Sequence, residues 1–319
     1  MAVQELTETV ESEMAGPHNG HPFSVILTHD VDRPYKTYQG VHRAMSDGDP
    51  HQLRSLITGE RPYWRFEDVM EMESERGLRS SFYMLQERKL FRDIPRRRWI
   101  DPRAWIRYTG HYSVSDPRIA SIIRRLDDGG WEVGLHGSFD SWNDPDLLAD
   151  EKRTLEAVLG RPVHGGRQHF LRLDRPETWT FHRDIGLNYD ASLGSSSEYG
   201  FQHGYDPRRP FNDDFLVFPL TVMEVALMKG AGGVEPAKQE IDRLLAEAER
   251  YGATMTVLWH VRLFNDAEFP GYRELYGYLL DQALDADAWI GPAVRAYERW
   301  TDTNQPDQLT IRPMSAGTE

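Results

Sequence analysis

Acidic and imidazole side chains follow several short apolar segments of this sequence, in positions from which they could bind a metal ion or transfer protons. The first apolar segment runs into Asp30 and Asp32, the third ends at His136, and the last ends at His260. In parallel α/β structures the carboxyl ends of the strands meet on one side of the sheet or barrel, where such enzymes have their active sites. The pattern therefore predicts an active site assembled from distant parts of the chain.

The residue types around His136 are those of a site for a divalent cation. His136 and Asp140 are four residues apart and share one face if the chain turns helical there, and Asp32 can complete the ligand set. The sequence contains no cysteine, so a metal ion would have to be held by histidine and carboxylate side chains. Asp30 is near enough to such a metal to act as a base, and His260 is placed to protonate a leaving group.

The same residues also have structural interpretations. Asp30 and Asp32 could cap a turn after the first apolar segment, and Asp140 could be an acid near the N-terminus of a helix. His169, near the end of the fourth segment, could be a packing histidine. The recurrence of such groups at several segment ends favours the functional interpretation, while for Asp140 both interpretations stay open.

Seven apolar segments supply the strands that would position these groups. They lie at 23–29, 79–85, 131–136, 163–170, 187–193, 215–222 and 253–260. Their nearly continuous apolar character is typical of strands covered on both faces, as in a parallel sheet. Patterns with helical spacing separate them, for example between Pro117 and Gly129. This alternation predicts a single α/β domain over 21–302, with a barrel favoured over an open sheet.

The composition is that of an acidic globular protein. The 319 residues carry a net charge of −14, which argues against non-specific binding to nucleic acid. No apolar stretch approaches the roughly 18 residues that cross a bilayer. The acidic N-terminus does not have the pattern of a secretory signal, so we expect a cytoplasmic protein. Residues 1–20 and 303–319 are polar and are predicted to be flexible tails.

One segment, 86–113, is basic within this acidic chain. It holds eight lysine and arginine residues against three acidic residues, a net charge of +5. We interpret it as an insertion in the barrel domain that could meet an anionic ligand, such as a phosphorylated or nucleotide-linked sugar. Arg96, Arg97 and Arg98 are then candidate substrate-binding residues. The commoner case for such a run of charge is a solvated loop held by salt bridges.

Five short motifs give the sequence a resemblance to a known family. They are Thr28-His-Asp30-Val-Asp32, Leu135-His136-Gly-Ser-Phe-Asp140, Gly166-Arg167-Gln-His169-Phe170, Asp190-Ala-Ser-Leu-Gly and Leu258-Trp-His260. In this order they resemble the motifs of the polysaccharide deacetylases, the NodB-homology group or carbohydrate esterase family 4, over about residues 22–265. The resemblance implies a distorted (β/α)7 barrel and a metal-dependent hydrolase that removes acetyl groups from N-acetylated sugars.

The resemblance also implies catalytic roles for individual residues. Asp30 matches the catalytic base, and Arg167 matches the arginine that steadies its carboxylate. His260 matches the general acid, and Asp190 the acid that orients this histidine. A backbone N–H near Phe170 would help to hold the oxyanion, which makes Phe170 a candidate substrate-binding residue.

The implied metal ligands depart from the family pattern. Asp32 and His136 match the first two ligands, but the usual second histidine, four residues after the first, is Asp140 here. The third motif has His169 in place of proline, followed by Phe170 in place of tyrosine. We expect Asp140 to complete the ligand set for one divalent cation, with His169 as the alternative third ligand and loss of the metal as a further alternative. Zinc is the expected ion, and manganese, cobalt and nickel are alternatives.

Together these inferences predict a hydrolase of carbon–nitrogen bonds that deacetylates an N-acetylated sugar or glycan precursor. A nucleotide-linked or lipid-linked sugar suits a cytoplasmic enzyme better than a mature cell-wall polymer. Two other functions fit the same residues: an amide hydrolase acting on a cyclic amide or ureide, and a carbohydrate-binding pseudoenzyme without metal. The sequence leaves the particular sugar and the oligomeric state open.

Overall fold

The computed structural model describes residue 18 and residues 20–36 and 61–302. All seven predicted apolar segments contain strands. The predicted tails, 1–20 and 303–319, lie outside the described residues apart from His18 and Gly20. Among the described residues, no helix has the length and apolar character that crossing a bilayer requires.

The strands form because their residues can be buried on both faces. All eight residues of the first strand and all five of the second are buried, as expected for a parallel sheet covered by helices. The strands are β1 (Ser24–Val31), β2 (Ser81–Leu85), β3 (Glu132–Gly137), β4 (Gly165–Gln168), β5 (Tyr189–Asp190), β6 (Leu216–Val217), β7 (Leu220–Met223), β8 (Thr254–Leu258) and β9 (Trp289–Gly291).

The order of the strands closes them into a barrel. The parallel order is β6-β5-β4-β3-β2-β1-β8-β7, and β9 pairs with the first residues of β1. β6 and β7 stand at opposite ends of this order, although only Phe218 and Pro219 separate them in the chain. One extended segment therefore pairs with β5 at its start and with β8 at its end, and it joins the two edges of the sheet. The predicted (β/α)7 barrel is confirmed, with a distortion in register between Leu220 and Val222.

Helices connect successive strands and cover the barrel from outside. They are α1 (Phe66–Glu75), α2 (Leu90–Asp93), α3 (Pro102–Tyr108), α4 (Pro117–Asp128), α5 (Pro145–Leu159), α6 (Glu177–Asp184), α7 (Glu224–Ala231), α8 (Val234–Tyr251), α9 (Tyr272–Asp285) and α10 (Ala293–Thr301). Proline occupies the first position of α4 and α5, where its missing N–H costs no hydrogen bond. Gly160 ends α5 in the left-handed conformation that favours glycine.

The basic insertion lies between β2 and α4 and has a small apolar cluster of its own. Leu90, Ile94, Ala104 and Tyr108 form this cluster within α2, α3 and the turn that joins them. Near its end, the Tyr112 hydroxyl donates a hydrogen bond of 2.7 Å to the carbonyl of the last β1 residue and accepts one of 2.7 Å from the N–H of the last β2 residue. The insertion is thus fixed beside the carboxyl ends of β1 and β2.

Candidate metal centre and active site

The candidate residues lie together at the carboxyl ends of the barrel strands. Because the barrel strands are parallel, these ends open on one side of the barrel. The groups that meet there are Asp30 and Asp32 at the end of β1, His136 on β3, Arg167 on β4, His169 just after β4 and His260 just after β8. Their side chains are almost entirely buried, so their charges interact with little screening by water.

Three of these side chains form a group that fits a divalent cation. Ligand atoms of Asp32, His136 and His169 all lie within 4.8 Å of one another. Nε2 of His136 is 3.0 Å from Oδ1 of Asp32, and Nε2 of His169 is 3.7 Å from the same oxygen. Two imidazole nitrogens and a carboxylate oxygen are a common ligand set of catalytic zinc, which keeps a further coordination position open. These three residues are the candidate metal ligands.

Asp140, the expected third ligand, does not belong to this group. The chain does not turn α-helical after β3, because Asp140 leads instead into a short 3₁₀ turn (Ser141–Asn143). Oδ2 of Asp140 accepts a hydrogen bond of 2.5 Å from the Tyr108 hydroxyl and lies 3.6 Å from Nη1 of Arg88. The geometry corrects the expectation: the alternative residue, His169, takes the third position.

Main-chain groups orient His136 towards Asp32. Nδ1 of His136 donates a hydrogen bond of 2.8 Å to the Arg167 carbonyl, which leaves Nε2 facing the aspartate. This contact needs a close approach of β3 and β4 at Gly166, where an added Cβ would overlap the Leu135 carbonyl oxygen. The glycine of the third motif therefore helps to position the histidine of the second.

A buried acid outside the five motifs faces the other nitrogen of His169. Nδ1 of His169 is 3.8 Å from Oε2 of Glu87 and makes no hydrogen bond within the described part of the chain. Burial raises the pKa of Glu87, but His169 and the N–H of Phe139 offset this and lower the pKa overall. A carboxylate behind a histidine ligand commonly orients the imidazole. No motif in the sequence points to Glu87, which is one acid at the start of the basic insertion.

The predicted base and its arginine are in direct contact. Nη1 of Arg167 donates hydrogen bonds of 2.8 Å to Oδ1 of Asp30 and 2.9 Å to the Thr28 hydroxyl. Oδ2 of Asp30 lies 3.8 Å from Nε2 of His136, on the side of the metal ligands. Burial raises the pKa of Asp30, but Arg167, His136 and His260 lower it more, so the net shift is downward. Asp30 is therefore ionised at neutral pH.

His260 has a carboxylate partner, and that partner is Glu224. Nδ1 of His260 is 2.6 Å from Oε1 of Glu224, while Nε2 is 3.4 Å from Oδ2 of Asp32. Burial lowers the pKa of His260, yet the Glu224 carboxylate more than offsets this and the pKa rises to about 9. His260 is therefore protonated at neutral pH, as a general acid must be.

Asp190, which the resemblance pairs with His260, lies elsewhere. At the end of β5 it accepts hydrogen bonds from the Ser192 hydroxyl and from Nε1 of Trp179, and it is 3.3 Å from Nδ1 of His182. These contacts tie β5 to α6 and correct the expected pairing. Glu224 could have been found by the rule that revealed the other groups, because it follows the sixth apolar segment directly.

A guanidinium group that the sequence motifs do not include also contacts Asp32. Arg262, two residues after His260, donates a hydrogen bond of 2.9 Å from Nη1 to Oδ2 of Asp32. Burial raises the pKa of Asp32, but His169, His136 and His260 lower it well below its usual range. Asp32 is thus held as a carboxylate, the form in which it can bind a cation.

The predicted substrate-binding residues differ in their surroundings. Phe170 stacks on His169 with ring centres 4.3 Å apart, is 70% exposed, and has a φ of 59°. Positive φ is uncommon in bulky residues, and such strain concentrates at functional sites. Arg96 and Arg98 contact rings within the insertion, namely Trp99 at 5.7 Å and Tyr108 at 5.5 Å.

Solved structures provide the comparison, since by sequence alone the chain matches no protein-family model and no curated protein. A Mycobacterium smegmatis protein named as a polysaccharide deacetylase matches with a TM-score of 0.56 and 17% identity, over 93% of this chain and 96% of its own. A Pseudomonas aeruginosa PAO1 protein named in the same way gives 0.59 and 13%, over 91% and 95%. The Puue allantoinase gives 0.57 and 15%, over 91% and 94%.

These matches cover almost the whole of each chain at identities that indicate a shared fold. The chain therefore has the fold of the polysaccharide deacetylases, the NodB-type barrel that its motifs predict.

Proposed function

We propose that this protein is a metal-dependent hydrolase that removes the acetyl group from an N-acetylated sugar or glycan precursor. One observation carries this proposal. In a barrel with the polysaccharide-deacetylase fold, the candidate ligands Asp32, His136 and His169 lie beside an ionised carboxylate, Asp30, and a protonated imidazole, His260. Hydrolysis of an amide by water needs a group that polarises the carbonyl, a group that accepts a proton and a group that protonates the departing amine.

Asp30 is the base of the proposed reaction. When bound at the three ligands, a divalent cation supplies polarisation of the amide carbonyl and increases the acidity of water. Asp30 accepts the proton of the attacking water at Oδ2, the oxygen on the side of the ligands. Arg167 holds the other oxygen, Oδ1, and so fixes the direction of the carboxylate. The lowered pKa of Asp30 makes it a weak base, which suits it to water that has already become more acidic.

His260 is the acid of the proposed reaction. Glu224 accepts a hydrogen bond from Nδ1–H of His260, so the proton available for transfer is on Nε2, which faces Asp32 and the site. With a pKa of about 9, the imidazolium is present at neutral pH and can protonate the amine as the carbon–nitrogen bond breaks. One ionised carboxylate and one protonated imidazole in the same site form a complementary base and acid.

Acetate release tests this function. Metal-loaded protein should release acetate from N-acetylhexosamine substrates, and Asp30→Asn and His136→Ala should each reduce kcat/KM by about 100-fold or more. Asp150→Asn and His21→Ala, at surface positions away from the site, are matched controls and should keep the activity. Acetate release that survives both site substitutions would contradict the assigned roles.

A second candidate function is hydrolysis of another carbon–nitrogen bond, in a cyclic amide or ureide. The fold match to an allantoinase supports it. A panel of N-acetylated sugars, their nucleotide-linked forms, allantoin and hydantoin distinguishes the two activities. Elemental analysis of the purified protein should come first, because we expect one divalent cation per chain. A chain that binds no cation under any loading condition would be a pseudoenzyme.

A further inference from the structure

Two arginine side chains lie against one aromatic ring beside the candidate metal centre. The guanidinium carbons of Arg107 and Arg172 are 3.6 and 4.1 Å from the ring centre of Phe139. Nη1 of Arg172 also donates a hydrogen bond of 2.6 Å to the Phe139 carbonyl. Both guanidinium groups lie over the same ring, so the distance between their carbons cannot exceed the sum of these two distances. Two positive charges at this separation repel each other.

Among the described residues, no acidic group forms a close ion pair with either guanidinium group. In the part of the chain that the structure describes, no carboxylate oxygen lies within 4.0 Å of a guanidinium nitrogen of Arg107 or Arg172, the distance that an ion pair requires. The nearby carboxylate, that of Asp140, already accepts a hydrogen bond from the Tyr108 hydroxyl, and its Oδ2 lies 3.6 Å from Nη1 of Arg88. Burial lowers the pKa of Arg172; Asp140 raises it, and Arg107 lowers it by less than Asp140 raises it, so that burial decides the downward shift. The pair of guanidinium groups therefore has donors left for an anion that the chain itself does not supply.

Aromatic contacts connect this pair to the metal ligands. The Phe139 ring lies 5.8 Å from the Phe170 ring, and Phe170 stacks on the candidate ligand His169 at 4.3 Å. Phe170 is 70% exposed and has a strained backbone, so a flat apolar surface is presented to solvent between the arginines and the ligands. A sugar whose acetamido group reaches the ligands can lay its apolar face on Phe170 and extend towards the arginines.

We propose that Arg107 and Arg172, on the platform of Phe139 and Phe170, form a subsite for an anionic group on an N-acylated sugar. A carboxylate or a phosphate supplies the same chemistry, because both accept paired hydrogen bonds from planar guanidinium groups. This inference rests on the proposed function and deepens it by naming the class of substrate. It differs from the expectation for Arg96, Arg97 and Arg98, because the ring contacts of Arg96 and Arg98 stay within the insertion.

Binding to protein stripped of metal by a chelator tests the subsite without any contribution from metal–phosphate contacts. Titration calorimetry compares N-acetylglucosamine 1-phosphate, an N-acetylhexosaminuronate and neutral N-acetylglucosamine. We expect the wild type to bind at least one of the two anionic sugars about tenfold more tightly than the neutral sugar. Arg107→Gln and Arg172→Gln should reduce that preference by about tenfold, and Arg172→Lys should retain part of it. Arg103→Gln, an exposed arginine of the same insertion, is the matched control.

The two anionic ligands separate a preference for phosphate from one for carboxylate. Equal binding of all three sugars by the wild type, or an equal loss in Arg103→Gln, would overturn the subsite. Melting temperatures near that of the wild type exclude unfolding of the variants, and Arg172→Lys, which keeps the charge, covers the case in which Arg172→Gln does not fold.

Kinetics of the metal-loaded enzyme separate failure of the subsite from failure of the proposed function. The ratio of kcat/KM for the preferred anionic sugar to that for the neutral sugar should fall by about tenfold in Arg107→Gln and Arg172→Gln. A wild type that deacetylates both sugars without preference would retain the function and refute the subsite. A preference in binding without any acetate release would retain the subsite and refute the deacetylase.

Discussion

The sequence offers two residues, Asp140 and His169, for the third position of the candidate metal site, and the structure places His169 there. The spacing of His136 and Asp140 favours Asp140 only if the chain turns α-helical after β3, and it forms a 3₁₀ turn instead. Asp140 then faces the basic insertion and the Tyr108 hydroxyl. His169 reaches Asp32 because the turn after β4 carries it to the mouth of the barrel. Sequence spacing identifies candidate ligands, but the local turn decides which of them can converge.

His169→Ala should therefore weaken metal binding far more than Asp140→Ala. Removing a ligand from a three-residue set leaves two protein donors, so we expect the affinity for zinc to fall by more than about 100-fold. Asp140→Ala should keep the affinity within a few fold, because its carboxylate lies outside the ligand group. Competition with a chromophoric chelator measures both constants. A larger loss of zinc affinity in Asp140→Ala than in His169→Ala would instead identify Asp140 as the third ligand.

At the scale of elements, the strands could be predicted better than the partners that they bring together. All seven apolar segments form strands of the barrel, because in a parallel α/β protein the strands are buried on both faces and are therefore nearly continuously apolar. The pairing of β7 with β8 places Glu224, at the start of α7, next to His260. Asp190 instead is the last residue of β5, which lies towards the opposite end of the strand order from β8. Which strand ends become neighbours depends on barrel closure, and no local pattern in the sequence encodes it.

Glu224→Gln should shift the alkaline limb of the pH–rate profile to lower pH. The Glu224 carboxylate raises the pKa of His260 to about 9, so its loss lowers that pKa and deprotonates the acid earlier as the pH rises. We expect kcat/KM at pH 8 to fall by at least about tenfold, with a smaller loss at pH 6. Asp190→Asn is the comparison, and its alkaline limb should stay where it is in the wild type. A shift in Asp190→Asn alone would support the pairing that the motifs imply.

At the scale of the whole molecule, the acidic composition conceals buried carboxyl groups that link stability to pH. Glu151 on α5 is buried, and its Oε2 accepts a hydrogen bond of 3.1 Å from the N–H of Ser138, just after β3. Burial raises the pKa of Glu151 to about 8. The folded state therefore holds this proton more tightly than the unfolded chain does. A net charge computed from composition does not reveal such a group, because burial is decided by the fold.

The wild type should lose stability as the pH rises, and Glu151→Gln should not show this loss. With a folded pKa raised from 4.5 to about 8, the contribution of Glu151 is complete below about pH 4.5 and is lost as the pH rises to about 8. The free energy of unfolding of the wild type should fall relative to Glu151→Gln across this window by on the order of 4 kcal/mol. Urea unfolding at several pH values measures the difference. Glu177→Gln, at an exposed position, is the control. The effect would be excluded if the free energy of unfolding depended on pH in the same way in Glu151→Gln and Glu177→Gln.

The order of the residues along the chain separates the candidate cation ligands from the residues that would supply the proton. Asp32, His136 and His169 all precede residue 170, whereas Glu224 and His260 follow residue 220. During synthesis on the ribosome, the residues that would hold the cation leave the exit tunnel long before those that would supply the proton. β1 gains its β8 neighbour only after residue 258 has been made. The candidate cation ligands are therefore all present in the nascent chain before Glu224 and His260 have been added to it.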